Sequence, residues 1–408
     1  MNTIGIIGGG ASGLAAAIAA RERLDNRVIV LERQARVGKK LLATGNGRCN
    51  LSNENAGPAH YHGRDVSFMA PAMARFGTAD TLQWFASLGL AVRTEPGGRI
   101  YPLSDNAGSV VDTLRLAADA AGAELRCGFD AAAAAYRNGR FIITPHSGDD
   151  VTVDRLIIAC GGMAGTKLGG TDAGYTLLKS LGHHRTALHP SLVQLCTDNT
   201  YTRALKGVRT QAAVTLENNG TVLASSYGEV QFADYGVTGP AVFDISRAAA
   251  QCGTGCTVCL RLLPELERDE LQRYLHDKLN RFPNYRAENL LTGLAHNALA
   301  RVLLRRAEIK LDAFLWSITE PQLAALTEYI LRFSLPLQGV RSFADAQVTA
   351  GGIVTQEFSP DTMESLLQPD LYACGEVLDI DGDCGGYNLQ WAWASGRLAG
   401  ISAAGGAL

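Results

Sequence analysis

No uninterrupted apolar run in the 408-residue chain reaches the roughly 18 residues that a membrane-spanning helix needs, so no such helix is expected. The first residues lack a basic stretch followed by an apolar one. "TIGIIGGG" instead starts a strand pattern at once, so no cleavable signal is expected either. Charge of one sign is also missing. The 37 Lys and Arg against 40 Asp and Glu leave −3, so the whole chain is no polycation for nucleic acid and only a local patch could serve. The nine cysteines are odd in number and scattered, and a chain this long needs no disulfide staples. Reduced thiols in a cytoplasmic compartment are therefore expected. The one CxxC, Cys256 to Cys259 in "CTVC", has no second CxxC or histidine pair at zinc spacing. Its strand-like alternation turns the two sulfurs to different faces. No metal site is expected.

Glycine, by contrast, is abundant: 45 residues, gathered in short bursts and not in repeats. That distribution suits many close backbone approaches, as around a cofactor. The first burst lies in "NTIGIIGGGASGLAAAIAARERLDNRVIVLER", which reads as a βαβ unit. Ile4 to Ile7 is a short apolar strand, Ser12 to about Arg23 an alanine-rich helix, and Val28 to Leu31 a second buried strand. Gly8, Gly10 and Gly13 stand between strand and helix in GxGxxG spacing. Gly8 allows the turn, Gly10 lets a pyrophosphate approach, and Gly13 lets helix and sheet pack. The helix N-terminus offers free N–H groups and the positive end of its dipole. Glu32 ends the second strand, where an acid can hold ribose hydroxyls and disfavours a 2′-phosphate. The nucleotide is thus FAD or NAD more readily than NADP.

Two later segments return to the same pattern. "VTVDRLIIACGG" (151–162) reads as one buried strand ending in paired glycines. "LYACGEVLDIDGDCGGYNLQWAWASGRLAG" offers a strand, Gly375-Glu376, and a Gly385-Gly386 turn into a last helix. Strands that return and end in glycine suit a long cofactor lying over several strand ends, as in two-dinucleotide flavoproteins. There the last helix aims its N-terminus at the pyrimidine side of the flavin. No second complete GxGxxG is present, so no dedicated NAD(P)H domain is expected and a nicotinamide would visit the flavin transiently.

The sequence resembles a bacterial family of FAD-dependent oxidoreductases with aminoacetone-oxidase-like, bile-acid-reductase-like and ribosomal-RNA-dihydrouridine-synthase-like members. The resemblance is carried by "GGGASGLAAA", "VGKKLLATGNGRCNLSN", "GRIYPLSDNAGSVVDTL", "GGTDAGYTLLKSLGH", "QFADYGVTGPAVFDISR", "VTAGGI" and "GEVLDIDGDCGGYNLQWAWASGRLAG", in the family's order. It implies an α/β, Rossmann-type two-dinucleotide FAD-binding domain interrupted by an insert with a β-barrel-like part and a small helical part. It places the pyrophosphate at Gly8, Gly10, Ala11, Ser12 and Gly13, and the adenosine ribose at Glu32 with Arg33. It places Lys40 and Leu41 along the way to the flavin, and Thr44, Gly45, Asn46 and Gly47 near the isoalloxazine. Gly161 belongs to the second strand end, Gly375 and Glu376 lie by the ribityl chain, and Gly386, Tyr387 and Asn388 lie under the pyrimidine edge. The stretch from Phe129 to Ala131 is expected to touch adenine. Where many members carry Thr-His, this chain has Ala233-Asp234, the spelling of the branch found among reductases of anaerobes.

Texture marks the insert. Residues 1–188 and 346–408 form the expected FAD domain, and 189–345 the substrate domain. Within the latter, 189–263 is β-rich ("SLVQL", "AAVTLE", "TVLASS", "EVQFAD", "CTVCLRL"), 264–312 helical, and 313–345 a return segment. From Arg268 to Lys310 the helical part carries nine Lys and Arg against five acids, a solvated face or a phosphate-contact surface. No aromatic-rich stretch accompanies it, so composition offers no base-stacking platform.

Flavin carries the hydride, and the protein must aim a substrate and supply a proton. Asp234 and Tyr235, in "FADYGVTGP", are the candidate proton donors. Arg48 is the candidate for an anionic substrate group or for reduced flavin, the alternative being a loop-shaping salt bridge. Cys49 reads as a packed small residue, and His183, His184 and His189 as structural. The expected activity is reduction of an activated C=C bond with electrons from NAD(P)H. The alternatives are a ribosomal RNA uracil reductase, an amine oxidase making hydrogen peroxide, and a flavin-containing binding module. The partner is accordingly a small molecule or ribosomal RNA.

Overall fold

Five parallel strands are held in the order Leu371–Ala373, Arg155–Ile158, Thr3–Ile7, Arg27–Glu32, Glu124–Cys127 in a computed structural model that describes residues 2–23 and 25–406. The register aligns their ends: Ile7 lies opposite both Leu31 and Ile158, and Ile158 opposite Ala373. The residues that follow, Gly8, Cys160-Gly161 and Cys374-Gly375, therefore share one carboxyl edge of the sheet, where open α/β sheets bind ligands. The segment 151–162 is not one strand. Val151–Val153 closes an antiparallel meander with Ala131–Arg137 and Arg140–Pro145, whereas Arg155–Ile158 joins the parallel sheet. Asp154 makes the break, donating its N–H to the Thr3 carbonyl at 2.8 Å and accepting the Thr3 N–H at 2.7 Å on its own carboxylate.

Helix Ala11–Ala20 is buried along nearly its whole length, and helix Tyr387–Ala403 crosses it at glycines. A Cβ on Gly396 would stand 2.4 Å from the Ser12 carbonyl, and one on Gly400 2.3 Å from that of Ala16. Only glycine permits this approach, and it fixes the last helix over the first turn of the nucleotide motif. Trp391 and Trp393 are fully enclosed beside it, their indole N–H groups donating to the carbonyls of Gly375 and Leu51.

The chain folds into two compact units, residues 1–189 with 347–408, and 190–346. The second is a closed antiparallel barrel of six strands in the order Leu195–Thr197, Gly236–Thr238, Thr221–Ala233, Arg209–Asn218, Thr257–Arg261, Phe333–Val340. Alternate residues fill it, among them Val214, Leu216, Val230, Phe232, Val258 and Leu260, as the period of two requires. "TVLASS" and "EVQFAD" are halves of one 13-residue strand and not two strands. The β-rich part also contains a helix, Pro240–Cys252, that its texture hid; Gly239 before it and Gly253 after it are its stop signals. The expectation of thiols throughout is corrected by a disulfide between Cys252 and Cys256, where a turn containing Gly253 and Gly255, both at positive φ, brings the helix end back to the strand. Helices Arg268–Arg281, Asn297–Arg306 and Glu320–Leu331 complete the unit. Among the described residues no helix is long and apolar enough to cross a membrane, and no cluster of three or more His, Cys, Asp or Glu could hold a metal.

Candidate active site

The first turn shows why its glycines are glycine. A Cβ on Gly13 would lie 1.9 Å from the Gly8 carbonyl, and one on Gly8, at φ +109°, 2.4 Å from that of Ala159. Gly10 has the opposite surroundings, with no atom within 4 Å of where its Cβ would stand. That gap lies at the N-terminus of helix Ala11–Ala20, so the backbone leaves room for an anion where the dipole favours one. Glu32 closes the turn, its carboxylate accepting the N–H groups of Gly9 and Gln34 at 2.7 Å each. Arg33 donates to the Gly169 carbonyl, and Phe129 N–H donates to the Glu32 carbonyl, so segments 169 and 129 meet at this strand end.

Next along the sheet edge, Lys40 Nζ lies 2.8 Å from Glu376 Oε2. The other Glu376 oxygen accepts the Thr349 N–H at 2.8 Å, and Thr349 Oγ1 in turn accepts the Ala164 N–H. Gly161 faces Glu376 with only one atom near its missing Cβ, at 3.7 Å. Segment Leu41–Gly47 is a tight turn in which Gly45 and Asn46 both take left-handed backbone at φ 56°, and Thr44 Oγ1 donates to the Leu41 carbonyl. Just after it, Asn50 Oδ1 is a buried acceptor with no donor among the described residues, close to Gly386 at the head of the last helix. A ligand amide N–H would satisfy it. Gly386, at φ +99°, cannot carry a Cβ without striking the Ser52 carbonyl at 2.3 Å. Asn388 locks the preceding turn through Gly382, accepting its N–H at 2.8 Å and donating to its carbonyl at 2.7 Å. An open gap at a helix N-terminus, a lysine–carboxylate pair and an orphaned buried acceptor along one sheet edge fit a dinucleotide with an amide-bearing ring.

Arg48 is engaged within the protein. Its guanidinium pairs with Glu95 at 2.5 Å and Asp105 at 2.7 Å and lies 4.0 Å above the centre of the Tyr101 ring. Arg93 shares both carboxylates, and the hydrogen bonds from the two arginines hold Glu95 and Asp105 below the usual carboxylate range. Cys49 is fully buried, and burial pushes its thiol up to about 12, which makes it a packing residue and not a nucleophile. Cys160 and Cys374 are raised to the same extent by the same cause.

His183 imitates a hydrolytic triad. Its Nδ1 is 2.8 Å from Glu357 and its Nε2 3.0 Å from Ser365 Oγ. The hydroxyl oxygen, however, already accepts the N–H groups of Leu367 and Gln368, and the imidazole is buried against Phe358. With both lone pairs occupied, the serine is a structural brace and not a nucleophile.

Asp234 and Tyr235 belong to the barrel unit, as the two-residue loop between strands Thr221–Ala233 and Gly236–Thr238. Asp234 pairs with Lys206 at 2.7 Å, which lowers its carboxyl, and the Tyr235 ring lies under Arg341. Burial raises the Tyr235 hydroxyl, keeping it protonated. In the helical part the cations are largely committed: Arg268 to Glu328, Arg301 to Glu288, and Arg306 among the rings of Tyr201, Tyr329 and Phe333. Two stacked aromatic pairs lie beside these cations. Phe282 stacks on Tyr285 and Phe314 on Trp316, Arg286 covers Phe314, and Tyr285 and Trp316 are exposed. Leu315 and Trp316 bond back to Tyr285 and Pro283, a pairing of distant segments that composition could not reveal.

The sheet edge and its glycine turns define a Rossmann-type FAD-binding oxidoreductase. More particularly, the model of the HI0933-like protein Rossmann domain matches residues 2–402, and the chain belongs to that family. It is 41% identical over 408 residues to a 3-dehydro-bile acid delta(4,6)-reductase of Clostridium scindens, covering 99% of each chain. It is 30% identical over 393 residues to the ribosomal RNA dihydrouridine synthase of Escherichia coli, covering 96% of this chain and 95% of that one. Among solved structures, a 3-ketosteroid delta1-dehydrogenase from Sterolibacterium denitrificans shares the fold at a TM-score of 0.51 and 12% identity, covering 99% of this chain and all of the other.

Proposed function

We propose that the chain reduces a C=C bond conjugated to a ketone in a flat polycyclic substrate of the steroid type, with electrons from NADH or NADPH passed through FAD. The observation that carries this reading is the end-to-end 41% identity to the bile-acid reductase, with 99% of both chains covered. In this proposal Gly8, Gly10, Ala11, Ser12 and Gly13 take the pyrophosphate and Glu32 with Arg33 the ribose. Lys40, Leu41, Gly161, Gly375 and Glu376 line the path to the flavin. Thr44 to Gly47 and Gly386 to Asn388 hold the ring, with Asn50 as acceptor for its amide.

FAD, when bound, supplies hydride transfer to the β-carbon of the enone. The chain must supply the proton for the α-carbon, and Tyr235, whose phenol carries a transferable proton, is the donor in this proposal. Asp234, pinned by Lys206, orients that loop. Arg48 compensates charge near the Leu41–Gly47 turn.

Anaerobic stopped-flow of the purified FAD protein tests the electron source. Rapid bleaching by NADH or NADPH is expected. Bleaching by aminoacetone and by neither nicotinamide would replace the reductase with an amine oxidase. If no donor reduces the flavin, the binding-module reading gains.

A second reading, an RNA uracil reductase, is favoured by the stacked pairs Phe282–Tyr285 and Phe314–Trp316 with Arg286, since aromatic and guanidinium planes stack on unpaired bases. Loss of dihydrouridine from ribosomal RNA in a deletion strain would select it, and unchanged RNA would remove it.

A further inference from the structure

We propose that Asp383, His60 and His62 form a redox-linked proton site that binds one proton when the flavin is reduced and so sets the pH dependence of its potential. The inference rests on the flavin reading of the site.

The cluster is built by a short ribbon. Tyr61–His62 pairs antiparallel with Asp381–Gly382, Asp381 lying opposite His62 and Gly382 opposite Tyr61. His60 and His62, two residues apart, project to one side of that ribbon. The Asp383 N–H donates to the His60 carbonyl at 3.0 Å, which carries the side chain between the two imidazoles. His60 Nδ1 stands 3.0 Å from Oδ2 and His62 Nε2 2.7 Å from Oδ1. One carboxylate therefore has both oxygens taken by imidazoles. The remaining nitrogens, His60 Nε2 and His62 Nδ1, are left for an incoming proton. Each histidine side chain is 37% exposed, so water can deliver it.

The cluster is fastened to the head of the last helix. The His60 ring lies flat on Tyr387 at 4.4 Å, Tyr61 donates its hydroxyl to the Tyr387 carbonyl, and Asn388 holds Gly382 by two hydrogen bonds. This helix N-terminus is where the flavin's pyrimidine edge is proposed to lie. Helix dipole and cluster then act in opposite senses. The dipole favours the negative charge of reduced flavin, whereas an Asp383 carboxylate between two neutral imidazoles opposes it. A proton on either imidazole removes the opposition. By linkage, a negative charge arriving nearby raises the cluster's affinity for that proton.

Other ionisable groups face the cluster: Tyr61 and Tyr387 by their rings, Asp381 across the ladder, and Cys384 next in sequence, with Asp379 and Arg64 where the ribbon's end meets 379. Burial would raise the Asp383 carboxyl, but the hydrogen bonds from His62 and His60 prevail and keep it below the usual range, so it remains the anionic centre.

The proton balance is explicit. Two electrons and one proton reduce the flavin, and a second proton goes from solvent to an imidazole of the cluster and not to the flavin. The test is a spectroelectrochemical titration of the FAD-loaded full chain, with dithionite as reductant, from about pH 5.5 to about pH 8.5. The native protein is compared with Asp383→Asn and with the double variant His60→Gln/His62→Gln. In the native protein the potential should follow two protons per electron pair only between the pH at which the cluster gains its proton beside oxidised flavin and the higher pH at which it gains it beside reduced flavin, and one proton on either side of that window, while the reduced-flavin spectrum stays that of the anion throughout. The histidine variant should follow one proton throughout, and Asp383→Asn, which keeps both imidazoles, should have the higher potential. A two-proton window that persists in the histidine variant, or none in the native protein, overturns the proposal. Failure of the native protein to bind FAD would instead overturn the flavin reading on which it rests. Should Asp383→Asn not retain FAD, the histidine variant decides.

Discussion

In residues 1–189 and 347–408 backbone meets backbone: Gly13 against Gly8, Gly8 against Ala159, Gly386 against Ser52, Gly396 against Ser12, all at distances that a Cβ would close to 2.4 Å or less. In the barrel of 190–346 strands meet through side chains, and turn glycines such as Gly220, Gly253 and Gly255 have nothing within 4 Å of a would-be Cβ. The barrel's exceptions are instructive. Gly236 and Gly239, which would strike the carbonyls of Leu195 and Glu229 at 2.2 and 2.5 Å, lie beside the Asp234-Tyr235 loop. Close backbone contact thus recurs at the first nucleotide turn and along the last helix, whereas in the barrel it is confined to a few turns.

That contrast can be broken, starting with the largest effect. Gly13→Val should cost at least about 100-fold in FAD affinity, some 2.7 kcal/mol, seen as loss of flavin per chain after gel filtration. Gly220→Ala, at φ +82°, should cost about 1–2 kcal/mol of stability and leave flavin content unchanged. Full flavin retention in Gly13→Val would end the backbone-contact account. Phe232→Ala empties a fully buried barrel position and should lower stability by about 3–5 kcal/mol in urea unfolding, with flavin per folded chain unaltered. Tyr235→Phe should lower turnover by about 10²- to 10⁴-fold without weakening FAD, and an undiminished rate would remove it as proton donor.

Arg48→Ala should alter turnover or flavin potential more than thermal stability, because solvent-exposed ion pairs contribute little to folding. Unchanged turnover with a normal flavin spectrum would make Arg48 a loop brace. The smallest effect is on pH. Burial lowers the His183 imidazole, against the opposing pull of Glu357, so the unfolded chain binds the proton more readily than the folded one. Stability is then full above the unfolded value near pH 6.5 and declines as pH falls below it. Glu357 is raised by burial but lowered on balance by its bonds to His184 and His183, and its contribution is likewise lost on further acidification. Melting temperature should fall from about pH 7 to about pH 5, and His183→Gln should flatten the upper part of that slope.

The same contrast explains what could be read from the amino acids alone. Gly8, Gly13 and the first βαβ unit were legible because close approach admits one residue type at fixed spacing. Segment 151–162 misleads because Val151–Val153 and Arg155–Ile158 are apolar alike, and only Asp154 tells that they serve different sheets. The 13-residue strand reads as two because its middle, "SSYG", has the polar composition of a turn. Helix Pro240–Cys252 announced itself by a proline at its start and flanking glycines, a signal outweighed by the strands around it. The disulfide needed the backbone between Cys252 and Cys256. Asp383 and His60 are 323 residues apart, and no local pattern joins them. A His-x-His pair and an aspartate two residues before a glycine turn were the available hints.

The central claim, enone reduction through FAD, is tested most directly by reducing the FAD protein anaerobically with one equivalent of electron pairs and mixing it with a 3-oxo-delta4 steroid. The account predicts return of the yellow oxidised spectrum with one equivalent of the saturated ketone formed. A flavin that stays reduced with the enone yet reoxidises at once with oxygen would contradict it.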